Sequence, residues 1–176
     1  MSRLVTGAKA PQFQVQDIFG NAVDLQALQG KKVMLSFYRY AGCPLCNLRV
    51  HSLLEEAKTL KDKVVMIAVF QSDSEAMLKF VNRQQAKFPF VADPKMALYR
   101  QYGVETSWMG LLKILAAIHK PIIAMSKGFL PGWIDGPINR LPADFLIDEN
   151  GVVQTAFYGD NIGDHIPISD IHAFAG

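Results

Sequence analysis

Apolar positions along the chain change period several times, and each change marks an element. Residues 33–38, inside "KKVMLSFY", are almost continuously apolar, and so are residues 64–70, "VVMIAVF". Short runs of that kind predict strands covered on both faces. Between them the spacing switches to 3 to 4 residues, at Cys46, Val50, Leu53, Ala57 and Leu60. That period predicts an amphipathic helix over 44–60. Further on, 73–87 predicts a helix capped by Ser72 or Asp73. "FPFVAD" predicts a short strand, and 94–102 a short helix stopped by Gly103. Before all of these, 12–28 reads as two short stretches about a turn at 17–21. Near the other end, "FLIDENGVVQTAFY" is two apolar runs joined around Glu149, Asn150 and Gly151. Asn-Gly between such runs signals a hairpin.

Strand and helix in alternation imply an α/β fold with a layered sheet. The sheet is expected to be mixed: parallel in its middle, flanked by helices, with an antiparallel hairpin at one side. No internal repeat or linker divides the 176 residues. One domain over 1–176 follows, long enough to bury a core without staples. Residues 104–141 fit least well and read as a helical insertion before the final hairpin. Leu111, Ile114, Leu115 and Ile118 predict a helix there, ended by Pro121. An aromatic and proline-rich stretch, "KGFLPGWIDGPINRLP", follows it. A segment this apolar must be buried against something. Its own domain, a second copy of the chain in a homodimer, and a role as a lid are all open. Trp108, Met109, Met125, Phe129 and Trp133 would also suit a non-catalytic binding module.

Composition removes several function classes. The chain is 50% hydrophobic and 19% charged, with a net charge of +2 and no run of Lys and Arg. That balance argues against nucleic acid or an acidic membrane surface as a partner. The start, "MSRLVTGAKAPQF", lacks the features of a secretory signal. The apolar stretch 111–125 is interrupted by Lys113, His119, Lys120 and Pro121, and falls short of the roughly 20 residues of a membrane span. A soluble, cytoplasmic protein is therefore expected. In that compartment, two cysteines close together are more often catalytic or metal-binding than structural.

The only cysteines, Cys43 and Cys46, lie in "YRYAGCPLCNLRVH", residues 38–51. Pro44 suits the first helical position, where its missing N–H would have had no partner. Cys43 then sits at the cap, where free N–H groups and the helix dipole stabilise a thiolate. Cys46 falls in the buried stripe, whereas Cys43 at the frayed start is expected to face outward. One accessible thiol with a protected one behind it suits attack by Cys43 and resolution by Cys46 as a disulfide bond. Other readings stay open. A structural disulfide would close a very short loop, worth only about 2 kcal/mol. A zinc site would need four ligands, and no second cysteine pair exists. Two inert buried thiols are the third alternative. The leading reading is dithiol redox chemistry with no metal and no cofactor.

A strand, then Cys-Pro-x-Cys opening a helix, then "LPADFLID" closely resembles the thioredoxin-like superfamily. The opening "APQFQVQDIFGNAVDLQALQGKKVMLSFYR" is similar to the alkyl hydroperoxide reductase/thiol-specific antioxidant family, in its peroxiredoxin-like branch with a Cys-x-x-Cys. The similarity covers about residues 8–160 and is weakest over 104–140. It implies a thioredoxin-like fold and a peroxide-reducing antioxidant enzyme, with a general thiol–disulfide reductase as the alternative. It also implies a peroxide or disulfide substrate and reduction by an external thiol, such as a thioredoxin or glutathione system. By the same resemblance Pro142 would be a cis-proline beside the cysteines, with Leu141 offering its backbone to an extended substrate. Two alignments disagree over the nucleophile. The peroxiredoxin pattern puts Cys46 at the attacking position and Cys43 at its threonine; the thioredoxin pattern makes Cys43 the attacker. No acid occupies residues 33–38, where thioredoxins carry an aspartate. Arg39 is the better-placed cation to lower a thiol pKa, ahead of Arg49, although a solvated Arg39 with no role is equally open. Asp144 is either a base near the pair or a surface turn residue. Arg140 could replace the distant peroxiredoxin arginine, but its spacing is unsuitable.

Overall fold

A computed structural model describes residues 2–60, 62–80, 87–114 and 119–176. Its main sheet has the order β5-β4-β3-β6-β7, with β3 (Lys32–Phe37), β4 (Val64–Phe70), β5 (Phe90–Ala92), β6 (Ala143–Ile147) and β7 (Val153–Tyr158). Strands β3, β4 and β5 run parallel, while β6 and β7 run antiparallel to their neighbours. Both apolar runs of the sequence thus lie side by side in the middle, with Leu35 between Ile67 and Phe145. A two-stranded hairpin, β1 (Gln14–Gln16) and β2 (Ala22–Asp24), stands apart from this sheet. The Asp17 carboxylate closes its turn by accepting from the N–H groups of Phe19 and Asn21.

Alternation along β3 decides which layer each side chain joins. Val33, Leu35 and Phe37 face a cluster that includes Leu98, Tyr99 and Tyr102 around α3 (Ala97–Gln101). Met34 and Tyr38 face the opposite cluster, with Val50, Leu53 and Ile171 from α1 (Pro44–Leu60) and α6 (Ile168–Ala175). Each fully buried Leu or Phe contributes roughly 1.5–3 kcal/mol, so both layers hold the sheet. Helix α6 is an element the sequence pattern does not announce.

Local chemistry moves several boundaries. Helix α2 (Ser74–Phe80) is capped by Asp73, whose carboxylate accepts from the Ala76 N–H at 2.8 Å. The remainder of the helix expected to 87 runs into 81–86, outside the described residues. Helix α3 starts three residues later than its apolar pattern suggests, because Asp93 takes the capping role. Its carboxylate accepts from the N–H groups of Ala97 and Leu98 at 2.9 and 2.8 Å. Gly103 ends that segment at φ +64°, with Ser2 O only 2.8 Å from where a Cβ would stand. The hairpin comes as expected: Asp148 accepts from Asn150 and Val152, and Gly151 has φ +73°.

Between α3 and β6 the chain forms α4 (Trp108–Leu112) and α5 (His119–Ser126). Leu115 and Ile118 of the expected helix lie outside the described residues. Pro121 does not end a helix. It occupies the first turn of α5, where a missing N–H breaks no bond. Helix α5 buries Ala124, and the Phe129 ring beyond it packs on His51 of α1 at 5.7 Å. Burial within its own fold is only partial, since Trp108, Met109, Ile122, Met125 and Trp133 stay exposed. Among the described residues no helix is long and apolar enough to cross a membrane.

Removal of the Asp93 cap leaves the N–H groups of Ala97, Leu98 and Tyr99 without that acceptor, so Asp93→Ala is expected to cost about 1–2 kcal/mol. Urea unfolding of the purified protein measures this. An unchanged midpoint would show that α3 is held by its tyrosines alone.

Candidate active site

Strand β3 ends in the core, and the chain then turns through residues 38–43 into α1. Asn47 fixes this turn: its side-chain amide donates to Ala41 O at 2.7 Å and to Cys43 O at 2.9 Å. Cys43 therefore occupies the capping position and Pro44 the first helical one. The Cys43 sulfur accepts from the Cys46 N–H at 3.3 Å, in the manner of a serine cap. It also accepts from Arg39 Nη2 at 2.9 Å. Arg39 is not solvated. Only 5% of it is exposed, its Nη1 donates to Ile138 O at 2.6 Å, and its guanidinium lies over the Tyr40 ring.

These contacts set the two thiols apart. Burial pushes the Cys43 thiol up, but a hydrogen bond from the Cys46 thiol, the Arg39 charge and the Cys46 N–H outweigh it. The result is a pKa pulled down to about 6. Cys46 moves the other way: burial and its hydrogen bond to Cys43 hold it well above the ordinary thiol range. Near neutral pH the pair carries one proton, on Cys46, and one negative charge, on Cys43 facing Arg39.

The expectation that Cys43 faces outward is not met. Cys43 is 0% and Cys46 2% exposed, both as free thiols. The cover is the chain's own segment 128–139. Gly132 N–H donates to Gly42 O at 2.9 Å, Ser72 donates to the Asp135 carboxylate at 2.8 Å, and the Gln71 amide donates to Pro137 O at 3.1 Å. Two glycines make the close approach possible. A Cβ on Gly42 would stand 2.8 Å from Gly132 backbone atoms, and a Cβ on Gly132 would meet the Phe80 ring. The aromatic, proline-rich stretch thus lies over the thiols as a strap.

The expected role of Pro142 and Leu141 is corrected. There is no cis peptide bond among the described residues, so Pro142 is trans. The backbone that was to receive an extended substrate is already paired. Leu141 N–H donates to Glu105 O at 3.1 Å, Ser107 N–H to Asn139 O at 2.8 Å, and Gly159 N–H to Pro142 O at 2.9 Å. Segment 105–107 has taken that place. Arg140 does not approach the thiols either. It donates to Val104 O and lies over the Tyr99 ring, in the opposite layer.

Asp144 is neither a surface residue nor adjacent to a sulfur in any recorded contact. It is completely buried opposite Ser36, accepting from the Ser36 hydroxyl, from His165 Nδ1 at 3.0 Å and from Ile166 N–H at 2.9 Å. Burial alone would raise its carboxyl; the His165 charge and hydrogen bond, with help from Arg49 and Ser36, hold it below the usual carboxylate range. Asp144 thus pairs with Ser36 of β3 and with His165 rather than with a thiol. His165 and Asn47 carry no sequence signal, because their partners are 21 and 4 to 6 residues away and only folding brings them together.

The model of the AhpC/TSA family matches residues 6–156. Peroxiredoxin Bcp of Escherichia coli K12 is 30% identical over 158 residues, 89% of this chain and 87% of that protein. The chain belongs to the AhpC/TSA family. Thiol-disulfide oxidoreductase ResA of Bacillus anthracis is 28% identical over 160 residues, 90% of this chain and 72% of that one. Among solved structures, peroxidoxin BcpB of Mycobacterium tuberculosis superposes with a TM-score of 0.67 at 16% identity, covering 97% of this chain and 93% of that chain. The fold is accordingly thioredoxin-like. As a member of the AhpC/TSA family, this chain is a thiol-dependent oxidoreductase.

The strap touches the turn that carries Cys43 through the Gly42–Gly132 contact. Gly42→Ala places a methyl group against Gly132 backbone and is expected to displace the strap, raising the iodoacetamide alkylation rate of Cys43 several-fold. Peptide mapping after timed alkylation reads it out. A rate equal to that of the unaltered protein would mean that the strap does not limit access.

Proposed function

We propose that this chain reduces small hydroperoxides, with Cys43 as the attacking thiolate and Cys46 as the resolving thiol. The observation that carries the reading is the Arg39 guanidinium at 2.9 Å from the Cys43 sulfur, beside a Cys46 thiol that keeps its proton. A thiolate rather than a thiol is the nucleophile, and a pKa near 6 leaves Cys43 mostly ionised at neutral pH. The order of attack follows the thioredoxin-like assignment of roles, while the substrate follows the peroxiredoxin relatives.

The proposed cycle balances as follows. The Cys43 thiolate attacks the distal peroxide oxygen, breaking the O–O bond and giving a Cys43 sulfenic acid and an alkoxide, which leaves as the alcohol on taking a proton. The Cys46 sulfur then attacks the Cys43 sulfur, and the Cys46 proton departs with the hydroxide as water. An intramolecular Cys43–Cys46 disulfide bond results. An external dithiol or two monothiols, from a thioredoxin or glutathione system, reduce it and become oxidised. Arg39 keeps the thiolate charged before attack and Pro44 starts the helix that caps it, while the backbone of Pro142 and Leu141 is paired within the fold rather than with substrate.

A general thiol–disulfide reductase is the second reading, supported by similarity to the thiol-disulfide oxidoreductase relative. Paired backbone at 139–141 weighs against it, because an extended polypeptide would have to displace 105–107. A small oxidant needs only the strap to open. The remaining parts of the reading are one domain over 1–176 with an insertion at about 104–141, a cytoplasmic location, and a homodimer in which Trp108, Met109 and Leu112 are covered, since contiguous apolar surface is rarely left bare.

Trapping with dimedone tests the roles. Cys46→Ser exposed to hydrogen peroxide should accumulate a dimedone adduct on Cys43, Cys43→Ser should form none, and the unaltered protein should lose two hydrogens as the disulfide. An adduct on Cys46 in Cys43→Ser, formed as fast as that on Cys43, would reverse the assignment.

A further inference from the structure

Outside the thiol site, one cavity gathers two long cationic side chains, Arg49 and Lys120, neither in an ion pair with an acid among the described residues. It is half open, about 210 Å³ in volume, and lies along α1 against α5 and the segment after β7. Leu45 and Leu48 form one wall, while Arg49, Ser52, Lys120 and His165 surround the rest. Leu45, Leu48, Arg49 and Ser52 share one helical face by spacing, about a quarter-turn from the stripe that carries Cys46.

The cations here are only partly compensated, by the buried Asp144 carboxylate that pairs with His165 and feels Arg49. Arg49 Nη2 donates to Ile166 O at 2.7 Å and Lys120 Nζ to Gly163 O at 3.0 Å, both uncharged acceptors. Arg49 Nε is buried and has no partner. His165 is 6% exposed at its side chain, and its Nδ1 is committed to the Asp144 carboxylate, so Nε2 is the nitrogen left for the cavity. The acids nearby are engaged elsewhere: Asp160 with Lys113, Asp164 with the Asp160 N–H, and Asp144 inside the core. Buried donors without acceptors cost free energy that a bound anion would recover.

We propose that this cavity binds a small carboxylate bearing a short apolar chain. The carboxylate lies between the Arg49 guanidinium and the Lys120 ammonium, and the carbon chain lies on Leu45 and Leu48. A fork of N–H groups suits a planar carboxylate, and the leucine wall has no use for a wholly polar ion. The volume is below the roughly 300–1,000 Å³ of sites for drug-sized molecules, which limits the ligand to a few carbon atoms. This site is independent of the redox assignment above and requires no turnover at the thiols.

Titration of the isotope-labelled full chain with butyrate, followed by amide NMR, tests it. Saturable shifts at Ser52, Gly163 and His165 are expected, with at least tenfold weaker binding in Lys120→Ala and in Arg49→Gln. Lys120 is only partly buried, so its variant keeps the question answerable if Arg49→Gln does not fold. Butyramide, equal in shape but neutral, should not saturate these shifts. Butyrate producing no saturable shift, Lys120→Ala binding it unchanged, or butyramide binding equally well would overturn the site. Inorganic phosphate binding as tightly as butyrate would overturn the part assigned to the leucine wall.

Discussion

One contact organises the thiol site: the guanidinium of Arg39 held against the buried Cys43 sulfur. In bulk solvent such a pair would be worth little, but both partners here are at least nine-tenths buried, where attraction is screened far less. Arg39 is itself stabilised as a cation by that negative sulfur, against the opposing effect of burial. The guanidinium is fixed from the other side by Ile138 O and by the Tyr40 ring. Cys46 supplies both an N–H and a thiol to the same sulfur, so its proton is retained as a consequence of Cys43 losing one.

That arrangement is buried, and the strap lies against it. Segment 128–139 reaches the thiols because Gly42 and Gly132 allow backbone to touch backbone, and it is tied down by side chains from the loop after β4. The same bond from Arg39 to Ile138 O makes one residue serve both the thiolate and its cover. Opening the strap would therefore loosen Arg39 as it admits an oxidant. Cover and activation are coupled through a single side chain. Trp108, Met109 and Trp133 of the same long connection stay exposed.

Much of this was legible in the chain. The apolar runs at 33–38 and 64–70 found the central strands, Pro44 marked the first residue of α1, and the Asn-Gly pair marked the hairpin, because each depends on neighbours a few residues apart. The cysteine spacing pointed to the site for the same reason, while Arg39 stayed open between a thiol partner and a solvated residue. What depended on distant pairing was not legible. Helical phase placed Cys43 outside, correctly for α1 alone, but could not see a cover contributed from 90 residues further on. Residues 105–107 pairing with 139–141 removed the binding edge expected at Leu141, and Asp144 found its partners Ser36 and His165 inside the core. In each case folding supplied a partner that no local period encodes.

The central claim is that Cys43, not Cys46, is the ionised sulfur, and that Arg39 makes it so. Site-resolved titration of both cysteines by their 13Cβ NMR shifts, in the unaltered protein and in Arg39→Met, measures this directly. The account predicts that Cys43 loses its proton near pH 6 and Cys46 only well above the ordinary thiol range, with Cys43 moving upward when the guanidinium is removed. Titration of Cys46 first, or a Cys43 midpoint indifferent to Arg39, would contradict it.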